Sequence, residues 1–336
     1  MLKALDAGGT IEERVSYMSE ALLETRGLKK YFSTPKGPLH AVDGINVKIT
    51  RGSTLGVVGE SGCGKSTLGR TVLRLLEATE GEVLFEGTNI LKSDKHALNK
   101  AREQMQMIFQ DPYASLNPRM SVSEIIGDPL RVCKKVSGKK DLEQQVSELM
   151  DTVGLASRFV NAYPHELDGG RRQRVGVARA LALNPKFIVC DEPVSALDVS
   201  IQAQILNLMM DLQEEKNLTY MFITHDLSVV RHISTEIMVM YLGQCVEIAP
   251  AKALFKNPLH PYTQVLLDAI PIPSLEYARK KRSLVRGEIT NPINPKPGCR
   301  FAGRCAQVMD ACTQGDCQQV EMEPGHFVAC QKFQPQ

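Results

Sequence analysis

The sequence predicts an α/β fold built around a parallel sheet, with a smaller antiparallel sheet beside it. A short apolar run, Thr54 to Val58, ends in a glycine-rich stretch, and apolar residues at helical spacing follow from Ser66 to Leu76. Further along, four segments alternate between helix and strand: Arg171 to Leu183, Phe187 to Cys190, Ile201 to Glu215 and Tyr220 to Thr224. Strands that alternate with helices favour a parallel sheet covered on both faces.

The antiparallel sheet is predicted from the first part of the chain. Between Leu22 and Ile49, short β-type runs alternate with turn signals. A further strand, Glu82 to Phe85, is bounded by glycines. The stretch from Pro112 to Tyr163 is instead rich in helical patterns, with Ser121 and Ser123 as candidate N-caps. We therefore expect a β subdomain and a helical subdomain beside the parallel core.

Composition and charge narrow the function classes. The 336 residues include 40 basic and 38 acidic side chains, and this net charge of +2 gives no reason to expect a surface dominated by nucleic-acid phosphates. No run of about 18 apolar residues occurs, and the N-terminus lacks the basic-then-apolar order of a secretory leader. We expect a soluble, cytosolic chain that would need other subunits for any membrane process. Residues 1–19 show no periodicity and form an N-terminal extension without an assigned role.

A phosphate-binding loop (P-loop) is predicted from Gly59 to Ser66. The segment fits G-x-x-x-x-G-K-[ST] and lies between a strand and a helix, as the mechanism requires. Glycines let backbone N–H groups converge on phosphate oxygens, Lys65 would reach the β- and γ-phosphates, and Ser66 would bind Mg²⁺. The ATP-binding residues expected here are Gly59, Glu60, Ser61, Gly62, Cys63, Gly64, Lys65, Ser66 and Thr67. The motif alone indicates nucleotide binding and leaves the reaction open.

Two adjacent carboxylates follow the buried strand Phe187 to Cys190. The strand would deliver Asp191 to the sheet edge beside the P-loop, where it could hold Mg²⁺ through water. Glu192 could then polarise the attacking water. Without a P-loop nearby, a solvated acidic turn would be the better interpretation. With one, the pair favours hydrolysis of the bound nucleotide.

Three further short motifs occur in order along the chain. Gln110 lies in Phe-Gln-Asp-Pro, Ser195-Ala196-Leu197-Asp198 follows the acidic pair, and His225 lies in Ile-Thr-His-Asp. Each is weak alone, because a surface glutamine or a core histidine is common. In this order and spacing they resemble the ABC ATPase family over nearly the whole chain. The resemblance identifies them with the Q-loop, the D-loop and the switch histidine.

The resemblance implies ATP and Mg²⁺ as cofactors and a role for each motif. The expected catalytic residues are Lys65, Glu192 and His225, and the expected Mg²⁺ group is Ser66, Gln110 and Asp191. Gln110 would also report to membrane subunits, and the D-loop would lie across a dimer interface. In this family an aromatic residue before the first strands commonly stacks on adenine. Phe32 aligns best with that position, and Tyr31 is the next candidate.

The signature motif departs from the family pattern. Family members pair two ATPase subunits head to tail, so that each ATP lies between one P-loop and the partner's Leu-Ser-Gly-Gly-Gln. This chain has Leu167-Asp168-Gly169-Gly170-Arg171, which places a carboxylate where a hydroxyl should meet the γ-phosphate. Two like charges about 4 Å apart repel by several kcal/mol at an effective dielectric constant of 20. Either the partner's ATP site is weakened, or Asp168 acts as an N-cap whose charge Arg171 or Arg172 offsets. We therefore expect a heterodimer with unequal sites.

Two longer matches point to one branch of the family. Phe109 to Met120 and Asn257 to Thr263 resemble the dipeptide/oligopeptide permease ATPases. The resemblance implies an ABC ATPase domain over residues 20–256, with a helical subdomain at about 111–170, and a C-terminal extension over 257–336. It also implies a second ATPase subunit, two transmembrane permease subunits and an extracytoplasmic solute-binding protein as partners. The chain would then be peripheral, on the cytoplasmic face of the membrane. Dipeptides, longer peptides and nickel complexes stay open as solutes.

Five of the nine cysteines crowd the last 38 residues. The pattern of this branch matches Cys299, Cys305, Cys312 and Cys330, and has been associated with a [4Fe-4S] cluster. From the residues alone, four thiolates suit either zinc or iron–sulfur, with Cys317 as a surplus thiol or alternative ligand. Free thiols in a loop are the remaining interpretation.

Two other function classes compete with transport. A soluble ABC ATPase acting on nucleic acid or ribosomes typically has tandem ATPase domains or long coiled coils, and neither pattern occurs here. A metal-sensing module with a secondary ATPase is the third class. Co-purification with permease subunits would distinguish all three.

Overall fold

The antiparallel sheet forms from the first strands, as the sequence predicts. The computed structural model describes residues 21–270 and 292–334, so the N-terminal extension 1–19 lies outside the described residues. Strands β1 (Ala21–Thr34) and β2 (Gly37–Thr50) make a long hairpin, and β4 (Glu80–Phe85) and β5 (Thr88–Asn89) extend it in the order β2-β1-β4-β5. Its inward side chains, such as Leu23, Ile45 and Ile49, are fully buried.

The central sheet is larger than the sequence indicates. Its order in the described residues is β11-β12-β10-β9-β3-β8-β7-β6. The strands are β3 (Thr54–Val58), β6 (Met105–Ile108), β7 (Phe187–Asp191), β8 (Thr219–Ile223), β9 (Glu236–Tyr241), β10 (Gln244–Pro250), β11 (Val320–Glu323) and β12 (His326–Val328). Strands β9, β3, β8, β7 and β6 are parallel to one another, and β10, β12 and β11 continue the sheet antiparallel.

Strands β3, β7 and β8 are buried along their whole length, which is why they carry continuous apolar runs rather than alternation. Because they are parallel, their carboxyl ends meet at one edge of the sheet. Strands β6, β9 and β10 lie beyond the segments predicted to be strands. Their short apolar runs have no period that separates a strand from a buried helix.

Helices cover the sheet and form the helical region. In chain order they are α1 (Lys65–Val72), α2 (Lys95–Gln104), α3 (Pro112–Ser115), α4 (Val122–Val132), α5 (Lys139–Thr152), α6 (Gly169–Leu181), α7 (Val199–Lys216), α8 (Leu227–Ile233), α9 (Ala251–Lys256) and α10 (Pro261–Asp268). The helix after the P-loop ends earlier than Leu76, and α6 begins two residues before Arg171. Of the two predicted caps, Ser121 forms the N-cap of α4, in a capping box with Glu124.

A buried carboxylate fixes the C-terminal segment to the sheet. Glu247 on β10 has no exposed surface, and it accepts hydrogen bonds from the backbone N–H groups of Leu259 at 2.8 Å and His260 at 2.9 Å. His326 on β12 lies 2.7 Å from the same carboxylate. The described part of residues 257–334 is therefore attached to the central sheet by buried contacts. None of the helices in the described ranges combines the length and apolar character needed to span a bilayer.

Candidate nucleotide-binding site

The loop between β3 and α1 is wound so that glycine is required. Gly62 and Gly64 have φ values of +77° and +103°. A Cβ atom at Gly64 would lie 1.9 Å from the carbonyl oxygen of Ala41. The Lys65 ammonium is buried and donates to the carbonyl oxygens of Gly59 at 2.8 Å and Glu60 at 3.0 Å. The loop therefore forms a closed ring around a cation, which is the geometry of an anion-binding P-loop.

A cleft of about 250 Å³ opens beside this ring. Most of the predicted ATP-binding residues line it: Phe32, Ser61, Gly62, Cys63, Gly64, Lys65, Ser66, Thr67 and Gln110. Glu192 lines it as well, whereas Gly59 and Glu60 do not. Tyr31 stacks on His40 with a 3.8 Å centroid separation and bonds Asp43 through its hydroxyl, outside the cleft. Of the two aromatic candidates, Phe32 is the one that faces the cleft.

Several lining residues are absent from the sequence prediction: Leu39, His40, Ala41, Leu242, Gly243 and Pro292. They come from β2, from the turn between β9 and β10, and from the C-terminal segment. Pro292 reaches the cleft because its carbonyl accepts the His40 N–H at 3.2 Å and Ile293 bridges to Leu39. No local motif marks such residues, since only the tertiary fold brings them to the cleft.

Asp191 ends β7 directly opposite the start of α1. Its side chain is fully buried, and the Ser66 hydroxyl donates to its Oδ1 at 2.7 Å. Its Oδ2 has no hydrogen-bond donor, and the Arg70 guanidinium lies 3.6 Å away. Burial raises the pKa of Asp191 above its ordinary value. A buried, under-coordinated carboxylate beside a serine hydroxyl is a donor set that suits Mg²⁺.

Three segments far apart in sequence meet at Glu192. Gln110, after β6, donates from Nε2 to its Oε2 at 3.0 Å, and His225 Nδ1, after β8, lies 3.2 Å from its Oε1. Glu192 has a φ of +45°, a backbone conformation that side chains rarely adopt, and its N–H is held by the Ile223 carbonyl at 2.9 Å. Strained residues of this kind cluster at functional sites. The arrangement presents a carboxylate that can accept a proton at the cleft.

The D-loop follows directly. Ser195 donates from its hydroxyl to the Glu192 carbonyl at 3.1 Å, and Asp198 precedes α7 as its N-terminal boundary residue. Leu197 packs near Gly169 of the signature segment, 3.0 Å from a Cβ placed there. The D-loop and the signature segment are therefore neighbours within the chain.

The signature segment begins α6 with Asp168 as its N-cap. Asp168 Oδ1 accepts the Arg171 N–H at 2.8 Å, while its Oδ2 pairs with the Arg171 guanidinium. Arg172 instead bonds the Pro164 carbonyl at 2.7 Å and lies over the Tyr113 ring. Leu167 is buried, and Gly169 and Gly170 form the first turn of the helix. Arg171 rather than Arg172 thus offsets the charge of Asp168.

The C-terminal cysteines are drawn together but do not form a ready ligand set. Cys299, Cys305, Cys312 and Cys330 line one cavity of about 20 Å³. Cys317 donates a hydrogen bond to Cys299, which lowers the pKa of Cys299, and it lines a different, larger cleft. Within the described ranges, no three His, Cys, Asp or Glu side chains are placed as a metal-binding group.

The fold and this site define an ABC-type ATPase cassette. Residues 42–195 match the family described as ABC transporter, and residues 246–312 match the oligopeptide/dipeptide transporter C-terminal region. The chain belongs to the ATP-binding proteins of ABC transporters, and it is an ATP-hydrolysing subunit of that kind. This assignment agrees with the fold class and the family resemblance predicted from the sequence.

Curated relatives match nearly the full length. The oligopeptide transport ATP-binding protein OppF of Bacillus subtilis is 53% identical over 93% of this chain and 97% of its own. The putative oligopeptide transport ATP-binding protein YkfD of the same organism is 51% identical, covering 93% and 95%. The dipeptide transport ATP-binding protein DppF of Haemophilus influenzae is 47% identical, covering 92% and 96%.

Solved structures share the cassette. The dimeric, ADP- and phosphate-bound cassette MJ0796 superposes with a TM-score of 0.62 at 30% identity, covering 68% of this chain and 98% of that one. CbiO1 of Clostridium perfringens, part of the transporter complex cbiONQ, gives a TM-score of 0.64 at 26% identity, covering 71% and 92%. The two superpositions include nearly all of those two chains, but leave about 30% of this chain unmatched.

Replacing Asp191 with asparagine should stabilise the protein while destroying its activity. Asparagine keeps an oxygen for the Ser66 hydroxyl and removes a buried charge. We expect the nucleotide-free melting temperature at pH 7 to rise, on the order of 2 °C, and ATP hydrolysis to fall at least about 100-fold. Scanning calorimetry and phosphate release measure the two effects.

The stabilisation should depend on pH with a defined sign. Because the folded pKa of Asp191 is raised, its charged form costs stability as pH increases above the unfolded value of 3.8. The gain from asparagine should therefore vanish near pH 4 and below. Asp211→Asn, on the exposed face of α7, is the matched control and should change neither property. A variant Asp191→Asn that melts below wild type at pH 7 would contradict the burial argument.

Proposed function

We propose that this ATPase powers the uptake of di- or oligopeptides across the cytoplasmic membrane. The observation that carries the proposal is the joint placement of Ser66 with Asp191, and of Gln110 and His225 with Glu192, beside one P-loop. Relatives named as oligopeptide and dipeptide transport proteins match the chain almost end to end, and this supports the substrate class. Nickel complexes or other solutes are the alternatives within the same branch.

Each site residue has a proposed role. Lys65 neutralises the β- and γ-phosphates, Ser66 and Asp191 hold Mg²⁺, and Phe32 stacks on adenine. Glu192 polarises the attacking water and accepts its proton, and the strained backbone together with its two neighbours sets its orientation. His225 would stand near the γ-phosphate. Mg²⁺ supplies charge neutralisation between the phosphates when it is bound.

The helical region is the proposed link to the membrane. Gln110 follows β6 at the site. The chain then enters the helical subdomain, proposed at about 111–170 within an ATPase domain of 20–256. Three large side chains of this region are exposed: Tyr113 at 55%, Val132 at 72% and Tyr163 at 42%. Exposed apolar groups favour contact with other subunits. Two permease subunits, fed by an extracytoplasmic binding protein, are the proposed partners on the cytoplasmic face.

The proposed ATPase dimer is a heterodimer with unequal sites. The altered signature of this chain would contact the ATP bound to the partner's P-loop, and the partner's signature would contact the ATP bound to this chain's P-loop. The N-cap geometry of Asp168 and its pairing with Arg171 would reduce, but not remove, the repulsion between this carboxylate and the partner's ATP. The site formed by this chain's own P-loop is then the more active of the two.

Glu192→Gln should stop transport without removing ATP binding. In reconstituted transporter, we expect hydrolysis and peptide uptake to fall at least about 100-fold, because the amide cannot accept the proton from water. ATP should still bind, since Lys65 and Ser66 are unchanged. Radiolabelled peptide uptake, phosphate release and equilibrium ATP binding measure the three quantities.

The matched experiment changes the equivalent glutamate of the partner ATPase. That variant should retain a measurable part of the turnover if the two sites are unequal in the proposed sense. If Glu192→Gln left turnover intact while the partner's variant abolished it, the asymmetry would be reversed. Loss of hydrolysis with unchanged peptide uptake would contradict the transport proposal itself.

We further propose that Cys299, Cys305, Cys312 and Cys330 bind a [4Fe-4S] cluster, with zinc as the alternative. The shared lining of one cavity supports this set of four. Cys317 does not line this cavity, and this favours it as the surplus thiol. The spacing of the thiols would have to close around the group on binding. In a C-terminal extension proposed at 257–336, such a group would act as a structural staple.

Metal analysis of anaerobically purified protein tests this assignment. We expect about four iron and four acid-labile sulfide per chain, lost in Cys305→Ser and retained in Cys317→Ser. Cys133→Ser, at the end of α4, is the matched control and should leave the metal content unchanged. If the protein contained one equivalent of zinc and no sulfide, the site would be a zinc site instead of a cluster. If it contained neither metal, the cysteines would be free thiols and the assignment would be wrong.

A further inference from the structure

The second residue of the P-loop is held almost entirely by the C-terminal segment. The Glu60 carboxylate receives two parallel bonds from Arg304, Nη1 to Oε2 at 2.8 Å and Nη2 to Oε1 at 3.0 Å. Its backbone N–H donates to the Tyr262 hydroxyl at 2.9 Å. Only its carbonyl is used within the loop, where it accepts from the Lys65 ammonium at 3.0 Å and the Cys63 N–H at 3.3 Å. The carboxylate and the backbone N–H of Glu60 are thus bonded to Arg304 and Tyr262, and only the carbonyl bonds within the loop.

Arg304 is rigidly placed for this contact. It ends a short helical turn, Ala302–Arg304, whose Arg304 N–H bonds the Phe301 carbonyl at 2.9 Å. Its side chain is only 9% exposed, and its guanidinium lies 5.8 Å from the Tyr241 ring and 5.9 Å from the Phe301 ring. A planar, partly desolvated Arg–carboxylate fork is worth more than a surface ion pair.

Three aromatic side chains pack against one another beneath the Arg304 guanidinium. Tyr241, Tyr262 and Phe301 are each almost fully buried, with ring centroids 4.7 to 5.3 Å apart. The neighbouring Arg300 is held in turn by the Leu242 carbonyl and by Asp43 of the β subdomain. The turn that presents Arg304 is therefore braced on β9, α10 and β2, and cannot shift without disturbing the core.

Arg304 neutralises the negative charge that Glu60 brings to the P-loop. Its carboxylate belongs to the loop that must bind a polyanion, and like charges repel across distances of the order of 10 Å when they are only partly screened. The bidentate pair neutralises this charge and keeps Glu60 out of the cleft lining, which begins at Ser61. We propose that Arg304, with Tyr262, is a positioning residue for ATP: it makes the P-loop competent to bind nucleotide.

This proposal deepens the ATPase function and depends on ATP binding at the P-loop. It makes the C-terminal segment a part of the nucleotide site rather than an appendage. Removing Arg304 while Glu60 is present should weaken ATP binding, because the loop then carries an uncompensated negative charge. Removing both charges should restore it.

The test compares ATP affinity and steady-state kinetics of Arg304→Gln, Glu60→Gln and the double variant in the assembled transporter. For Arg304→Gln we expect the Kd and KM for ATP to rise about three- to tenfold, with kcat changed less than about twofold. Arg304→Lys should recover part of the affinity through charge alone. The double variant should return to within about twofold of wild type.

Two matched controls separate positioning from general stability. Arg51→Gln removes a somewhat more exposed pair with Glu86, at 2.7 Å, and should leave the KM for ATP unchanged, because Arg51 precedes β3 whereas the P-loop follows the other end of that strand. Tyr262→Phe should raise the Kd for ATP, whereas Tyr220→Phe, which removes a buried hydroxyl bonded to the Met209 carbonyl, should not. These tyrosine variants keep the test valid if Arg304→Gln folds poorly.

Equal ATP affinities of wild type, Arg304→Gln and Tyr262→Phe would overturn the inference. So would a double variant no better than Arg304→Gln, because the effect would then be lost packing rather than charge. If wild type itself bound no ATP, the assignment of the nucleotide site would fail instead.

Discussion

The parallel run of β3, β8 and β7 is the constraint on which the rest of the structure depends. Parallel strands end at the same edge of a sheet, so the P-loop, the acidic pair and His225 must meet there although they are far apart in sequence. The strands are fully buried, and this fixes their register and the positions of the groups that follow them. Strand β6 adds Gln110 at the same edge.

The groups at this edge store strain and buried charge. Asp191 is buried with one oxygen lacking a hydrogen bond, Glu192 has a left-handed backbone conformation, and Lys65 is held by loop carbonyls. Each costs stability in the nucleotide-free protein. Such costs are expected of a preorganised site, in which the groups for Mg²⁺ and phosphate are already in place and binding requires little rearrangement.

The C-terminal segment contributes more than its late position in the chain suggests. Glu247 and His326 join it to the central sheet, Pro292 completes the wall of the cleft, and Arg304 holds the P-loop. These contacts connect the cysteine-bearing turn to the nucleotide site by a few packed side chains. The segment and the cassette are therefore one physical unit in the described residues.

Much of this site could be predicted from the sequence, since the P-loop, Asp191, Glu192, Gln110 and His225 lie in short motifs whose order along the chain is informative. The antiparallel sheet could be predicted from its short β-type runs and glycine turns, and β3, β7 and β8 of the central sheet from short apolar runs between helical patterns. Tertiary contacts could not. Nothing local marks Pro292 or Arg304 as neighbours of the P-loop, and Glu60 matches the motif while pointing toward the C-terminal segment.

The sequence alone left the role of Asp168 and the identity of its counter-ion open, and the structure bears on both. Asp168 could have been read as a group aimed at a partner's phosphate or as a helix cap, and Arg171 or Arg172 as its counter-ion. In the structure it caps α6 and pairs with Arg171.

The most direct test of the account is the equilibrium binding of Mg²⁺-ATP to this chain and to Lys65→Ala. Among the described residues that line the cleft, Lys65 is the only lysine or arginine, so its removal should weaken binding at least about 100-fold. A Lys65→Ala variant that binds ATP as tightly as wild type would contradict the placement of the nucleotide site.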